Sequence, residues 1–238
     1  NDVKVIECNL RASRSFPFVS KVLKQNFIDI ATQLMIGEKP KPIDRSSFDL
    51  DYVGVKAPQF SFTRLKGSDP VLGVEMSSTG EVACLGDDFN EAFLKSVLSI
   101  GFKIPEKGIL LSTGPLKTKT VFLEEMKMLQ KMGLEFYGTQ GTVDFYDKYG
   151  FKIIPLNRPY TKKDPNILTY MEDGKIDLVI NIPKNNEKDE LDSDYFIRRK
   201  AIDLNIPLIT NIQVAKRFVR AIHYSGDKLH VKSWEEYN

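Results

Sequence analysis

From Gly108 onward short apolar runs alternate with longer amphipathic stretches, and few folds accommodate that order. Residues 109–111, 134–137, 152–156, 178–180 and 207–210 read as buried parallel strands. Helical patterns lie between them near 121–132, 143–149, 167–173 and 195–204, with a last one near 212–223. Strands alternating with helices predict an α/β, doubly wound parallel sheet that binds ligands outside the C-terminal ends of its strands.

The pattern upstream is different. Phe16-Pro17-Phe18 turns the chain into a helical pattern. Phe27, Ile28, Ile30, Ala31, Leu34, Met35 and Ile36 then predict an amphipathic helix that stops at Gly37. Residues 38–50 are polar and contain proline, and they predict a surface connection. Residues 53–57 and 60–62 read as strands, 66–70 as a turn, 78–82 as a tight turn, and 87–100 as a helix. Residues 101–107 form the junction, which predicts a first unit over 1–106 and a second over 107–238.

Composition narrows the class. With 42% hydrophobic and 28% charged residues, the chain has the balance of a globular protein. A net charge of +2, with no basic stripe carrying interleaved aromatics, argues against nucleic acid as a partner. No run of about 18 apolar residues suggests a membrane span, and no signal peptide opens the chain. Cys8 and Cys84 are far apart and outside any CxxC pattern, so both are expected as reduced thiols.

The densest chemistry lies in residues 4–18. An apolar strand carrying Val3, Val5 and Ile6 delivers Glu7, Asn9 and Arg11 to one face, because side chains alternate across a strand. Oxygen donors from Glu7 and Asn9 suit Mg²⁺, which takes one or two carboxylates and completes its shell with phosphates. Arg11 is placed to neutralise those phosphates bidentately. The same spacing also fits an exposed strand face whose charges are solvated or paired.

Residues 7–21, Glu-Cys-Asn-Leu-Arg-Ala-Ser-Arg-Ser-Phe-Pro-Phe-Val-Ser-Lys, resemble the strand that ends the ATP-grasp core of carbamoyl-phosphate synthase, in its second, carbamate-phosphorylating half. The likeness continues through Val-Gly-Val-Lys-Ala-Pro-Gln-Phe-Ser-Phe (53–62), Val-Leu-Gly-Val-Glu-Met-Ser-Ser-Thr-Gly-Glu-Val-Ala (71–83) and Gly-Phe-Lys-Ile-Pro (101–105). Residues 53–83 are most similar in wording to the multifunctional pyrimidine-pathway enzymes of eukaryotes. The resemblance implies an ATP-dependent ligase that makes carbamoyl phosphate from bicarbonate and glutamine-derived ammonia. It implies the C-terminal part of an α+β ATP-grasp domain over 1–106 and a methylglyoxal-synthase-like allosteric domain over 107–238. Glu7 and Asn9 would ligate Mg²⁺ or Mn²⁺, with K⁺ a further candidate cation, and Arg11 and Arg14 would stabilise the phosphates of ATP. The nucleotide clamp and the remaining ligands would lie upstream, so the chain is expected to be a piece of a larger enzyme and inactive alone. Expected partners are a glutaminase subunit or domain and other copies of the parent, and the expected compartment is the cytoplasm, with the mitochondrial matrix as alternative.

Tyr137-Gly138-Thr139-Gln140-Gly141-Thr142 follows the second strand of the later unit and opens a helix. Hydroxyls, glycines and helix N–H groups together make an anion cradle, although a plain N-cap explains one of the threonines equally well. By resemblance Thr139 and Thr142 hold the phosphate or carboxylate of an allosteric effector, and Asn181 contacts it. Arg158 falls where bacterial relatives place a phosphate-binding Lys. Lys117 and Lys119 on the first βα loop are placed to extend the positive rim, although a solvated loop explains both equally well, and one of Arg198 and Arg199 is expected to hold the adjoining loop. Acetylglutamate-activated urea-cycle enzymes carry Trp at the position of Arg158 and Asn at that of Lys184. This departure points to a nucleotide or phosphoribosyl pyrophosphate as effector. Ornithine-activated bacterial enzymes carry Glu near Ala57, which points away from ornithine. Asn157-Arg158-Pro159 lacks the catalytic aspartate of true methylglyoxal synthases. The alternatives are an ammonia-dependent urea-cycle enzyme, an isolated non-catalytic regulatory module, and another ATP-grasp ligase such as a biotin-dependent carboxylase.

Overall fold

Alternating side chains in the strand Gly108–Ser112 decide the layering of the molecule. The computed structural model describes residues 4, 5, 13, 15–43, 46–72, 78–161, 163–183, 188–226 and 229–237. In chain order the elements are helices α1 (Ser15–Val22) and α2 (Phe27–Met35), strands β1 (Val53–Gln59) and β2 (Gly80–Gly86), and helix α3 (Phe89–Ser99). There follow β3 (Gly108–Ser112), α4 (Leu116–Val121), α5 (Leu123–Gln130), β4 (Glu135–Gly138), α6 (Gln140–Asp147), β5 (Ile154–Pro155) and α7 (Ile167–Glu172). The chain continues with β6 (Leu178–Asn181), α8 (Lys188–Asp203), β7 (Leu208–Ile209) and α9 (Ile212–Ser225).

The later strands form a parallel sheet in the order β5-β4-β3-β6-β7, the doubly wound arrangement expected from the alternation. Ile109 and Leu111 of β3 point into one layer, with Met126 and Leu129 of α5, Phe218 and Ile222 of α9, and Leu94 and Val97 of α3. Leu110 points the other way, with Tyr137 and Val179, toward Ile167 and Met171 of α7 and Ile197 and Ala201 of α8. Both faces are thereby buried, as a continuous apolar strand requires.

β1 and β2 form a separate antiparallel pair, in register from Val53↔Gly86 to Gln59↔Gly80. Four expectations change. Residues 60–62 are not a strand: the pairing ends at Gln59, and the carbonyl of Phe62 accepts from Arg199 instead. Residues 80–82 open β2 rather than a tight turn, because their backbone pairs with Ala57–Gln59. The helix expected over 121–132 is two helices, α4 and α5, which meet at the fully buried Phe122. α8 starts at Lys188, well before the apolar pattern that announced it at Tyr195.

The C-terminal residues strap α1, β2 and α3 together. Trp234 donates its indole N–H to the carbonyl of Lys21 at 2.9 Å, Tyr237 donates to the carbonyl of Leu85 at 3.1 Å, and Lys232 pairs with Asp87 at 2.6 Å. A hydrogen bond from Lys232 holds the Asp87 carboxyl below its ordinary range. Burial pushes Glu91 upward, but hydrogen bonds from Lys95 and from the backbone of Asp87 outweigh it and leave the group lowered. The Ser233 N–H lowers Glu236. Depressed carboxylates stabilise the folded state above their unfolded values, 3.8 for Asp and 4.5 for Glu, and the stabilisation is lost as pH falls through the folded values. Fluorescence of Trp234, the single tryptophan, should therefore report release of the strap as pH drops below about 4.5. Emission unchanged down to pH 2 would contradict this.

Candidate functional site

In a sheet ordered β5-β4-β3-β6-β7 the chain reverses direction across the sheet at β3 and β6, which opens a crevice beyond their C-terminal ends. A cavity of about 130 Å³ lies there, lined by Ser112 at the end of β3, by Thr113 and Gly114 just after it, and by Thr139, Gly141 and Thr142 at the start of α6. Lys119, Arg158 and, from α8, Ser193, Asp194 and Ile197 complete the wall.

Local sequence explains the α6 side. Gly138 ends β4, and a Cβ there would lie 3.0 Å from the Thr142 methyl and 3.2 Å from the carbonyl of Leu111. A side chain at Gly138 would crowd the first turn of α6 against the strand ends. Thr139 occupies the N-cap position, yet its side chain makes no capping hydrogen bond. The first-turn N–H groups of a helix have no intrahelical acceptor and carry partial positive charge. Lys119 donates to the carbonyl of Gly141 at 2.7 Å, which brings its ammonium to the same turn. The left-handed Gly114 (φ 71°) turns the chain after β3, and Thr118 bonds back to the carbonyl of Thr113 at 2.5 Å. Thr113 is buried and shares a 3.0 Å hydrogen bond with the Tyr146 hydroxyl, whose pKa burial pushes up to about 12.

The Arg158 loop is tied at its base. Asn157 N–H donates to the carbonyl of Pro165 at 2.8 Å, and the Arg158 carbonyl accepts from the Thr161 N–H at 3.1 Å and hydroxyl at 2.9 Å. Arg158 is thus carried to the cavity by a closed loop after β5.

Asn181 ends β6 but does not line the cavity. Fully buried, it donates to Asp194 at 3.1 Å and accepts from Arg198 at 3.0 Å. Arg198 also makes a two-pronged bond to Asp69, with Nε–Oδ1 at 2.8 Å and Nη2–Oδ2 at 2.5 Å. Arg199 donates to the carbonyls of Phe62, Leu65 and Ser68, and Tyr195 donates to that of Gly67. Both arginines therefore hold the segment 62–69, which the sequence did not mark as their partner. A chain of hydrogen bonds runs from Asp194 at the cavity through Asn181 and Arg198 to Asp69.

Of the residues singled out in the sequence, Thr139, Thr142, Arg158 and Lys119 meet at the cavity. Lys117 is exposed on α4 and is absent from the lining, and Asn181 stands behind Asp194. Glu7, Asn9, Arg11, Arg14 and Lys184 lie outside the described residues. Among the described residues no group of His, Cys, Asp and Glu could hold a metal ion, and no helix is long and apolar enough to cross a membrane. Sequence reasoning missed Ser112, Thr113 and Gly114, which the rule of strand C-terminal ends could have found. It also missed Ser193 and Asp194, which no motif marks.

A profile of the MGS-like domain matches residues 122–210, a span holding β4 to β7 and most of the cavity wall. The chain carries an MGS-like domain. Beyond that domain, the chain is 47% identical over 98% of its length to the multifunctional protein pyr1-3 of Dictyostelium discoideum, covering 11% of that protein. It is 48% identical over its whole length to the mitochondrial carbamoyl-phosphate synthase [ammonia] of Aquarana catesbeiana, and 47% identical over 94% of its length to that of Homo sapiens, covering 16% of each. It is homologous to carbamoyl-phosphate synthase, a ligase, and spans only a small part of these relatives. The homology of regions outside the MGS-like domain accords with the likeness first carried by residues 7–21, 53–62 and 71–83.

Proposed function

We propose that this chain is a segment of a carbamoyl-phosphate synthase of the pyrimidine pathway, and that its MGS-like domain binds a nucleotide or phosphoribosyl pyrophosphate as allosteric effector. The observation that carries the reading is the cavity at the sheet switch point, where Lys119 and Arg158 line the same space as Thr139 and Thr142 at the N-terminal turn of α6. Hydroxyls, two cations and a helix N-terminus form an environment for a phosphate group. In this reading residues 1–106 end the carbamate-phosphorylating ATP-grasp domain and residues 107–238 are the effector domain. Glu7 and Asn9 hold Mg²⁺ or Mn²⁺, while Arg11 and Arg14 meet the phosphates of ATP. Phosphoryl transfer depends mainly on positioning and charge neutralisation, which this set of residues supplies. Bicarbonate and ammonia from a glutaminase are the other substrates of the parent enzyme, in the cytoplasm.

A second reading, an ammonia-dependent mitochondrial enzyme, draws on the 47–48% identity to the two mitochondrial synthases. Calorimetry of this chain with UTP, phosphoribosyl pyrophosphate and acetylglutamate separates the two. UTP or phosphoribosyl pyrophosphate should bind, and Thr142→Val should weaken that binding about tenfold, as expected for a lost hydrogen bond to a charged group. Binding of acetylglutamate alone would favour the mitochondrial type, and affinity unchanged by Thr142→Val would remove the phosphate assignment.

A further inference from the structure

A second cavity, of about 530 Å³, opens where α1, β2 and α3 meet the C-terminal residues 229–237. The residues that line it are all different from those of the cavity at the sheet switch point. Its floor is hydrocarbon. Val22 of α1, Leu85 of β2 and Leu98 of α3 face it half-buried, and the Trp234 ring, 47% exposed, forms one wall. An apolar body that displaces water from these side chains binds favourably, and a cavity of this volume suits a small organic molecule. The strap fixes the wall in place, because Trp234 bonds to the carbonyl of Lys21 and Tyr237 to that of Leu85. The groove is therefore built before any ligand arrives, and binding does not have to order it.

Charge selects the kind of ligand. Lys21, Lys95 and Lys232 line the cavity, and among the described lining residues there is no Asp or Glu. Lys95 and Lys232 are already paired, with Glu91 at 2.7 Å and Asp87 at 2.6 Å. Lys21 differs. Its ammonium is exposed in the last turn of α1 and has no partner among the described residues. A lysine there also complements the helix dipole, which accounts for its charge but not for its place on the cavity wall. Lys24, 5.4 Å from the centre of the Trp234 ring, adds a further positive charge beside that wall.

We propose that this groove is a second small-molecule site of the chain, and that it takes an organic anion with an aromatic or aliphatic body. The body lies on Val22, Leu85, Leu98 and Trp234, and the carboxylate or sulfonate end meets Lys21 at the rim. The site does not depend on the phosphate reading of the α6 cavity.

Anilinonaphthalene sulfonate and phenylnaphthylamine test this as matched probes, since they share one body and differ by the anionic group. Titrated into the whole chain, the sulfonate should fill a single saturable site. Trp234 is the only tryptophan, so its emission should fall by energy transfer as that site fills. Lys21→Gln should weaken the sulfonate about two- to fivefold, the range for one exposed ion pair, and leave the neutral probe unchanged. Added salt should weaken the sulfonate alone. Ala83→Phe places a ring in the groove from an exposed strand position that suits aromatic residues, and it should abolish binding of both probes. Ser99→Tyr, from the exposed end of α3, blocks the same space if Ala83→Phe does not fold. Saturating tripolyphosphate, aimed at the α6 cavity, should not displace the sulfonate. Absence of binding, binding without loss of Trp234 emission, or binding that survives the added ring would overturn the proposal. Equal affinity of the wild type and Lys21→Gln for the sulfonate, or displacement by tripolyphosphate, would overturn it as well.

Discussion

Asp69→Ala should lower the melting temperature of this chain by about 6–12 °C, the shift expected when about 3 kcal/mol is lost from a protein of this size. The Arg198 side chain is 3% exposed and that of Asp69 39%, so the pair is buried chiefly on the arginine side. Removing Asp69 leaves a desolvated guanidinium with Asn181 as its remaining hydrogen-bond partner among the contacts described above. Burying a charge is tolerable only when it is paired, and taking away one partner of a buried pair costs more than the pair itself contributes. The partial exposure of Asp69 places the loss at the lower end of that range. Loop residues 62–68 remain tied to Arg199 and Tyr195, so the fold should survive the change. Circular dichroism melts check the effect, and a shift under about 2 °C would mean that water reaches Arg198 and the pair is not desolvated.

Arg220→Met should be at least as damaging. Glu125 of α5 is fully buried, and Arg220 of α9 meets one of its oxygens at 2.8 Å. The other oxygen has only Lys216, at 3.7 Å, and no hydrogen bond among the described residues. Without Arg220 this carboxylate sits at the α5–α9 contact largely uncompensated, at a cost of about 3–5 kcal/mol. The double variant Glu125→Leu/Arg220→Met should recover most of that loss, because apolar groups of similar size replace buried ion pairs at little cost. Chemical denaturation of both variants decides the matter. If the double variant is as unstable as the single one, packing around Arg220 is responsible and the buried charge is not.

The parallel sheet was legible because its central strands β3 and β6 are buried on both faces, so their apolar runs carry their own signal. Ile109, Leu110 and Leu111 advertise a strand without any knowledge of its neighbours. Thr139 and Thr142 were legible for a related reason: a turn of Gly, Thr and Gln between a strand and a helix has local meaning. The break at Phe122 was not legible, since an apolar residue in an amphipathic pattern continues a helix as readily as it ends one. The early start of α8 was hidden too, because the charged residues before Tyr195 carry no apolar stripe.

Local pattern settles which segments become strands and helices, and it places Thr139 and Thr142 at the end of a strand. Contacts between residues far apart in the chain settle the rest. Asp69 reaches Arg198 across 129 positions, and Asn181 turns from a plausible ligand contact into the brace of Asp194 only when α8 packs beside β6. Lys21 and Trp234 come to line one groove in the same way, from positions 213 residues apart. Propensity acts over a few residues, whereas desolvation and hydrogen-bond satisfaction depend on whatever the completed fold brings alongside.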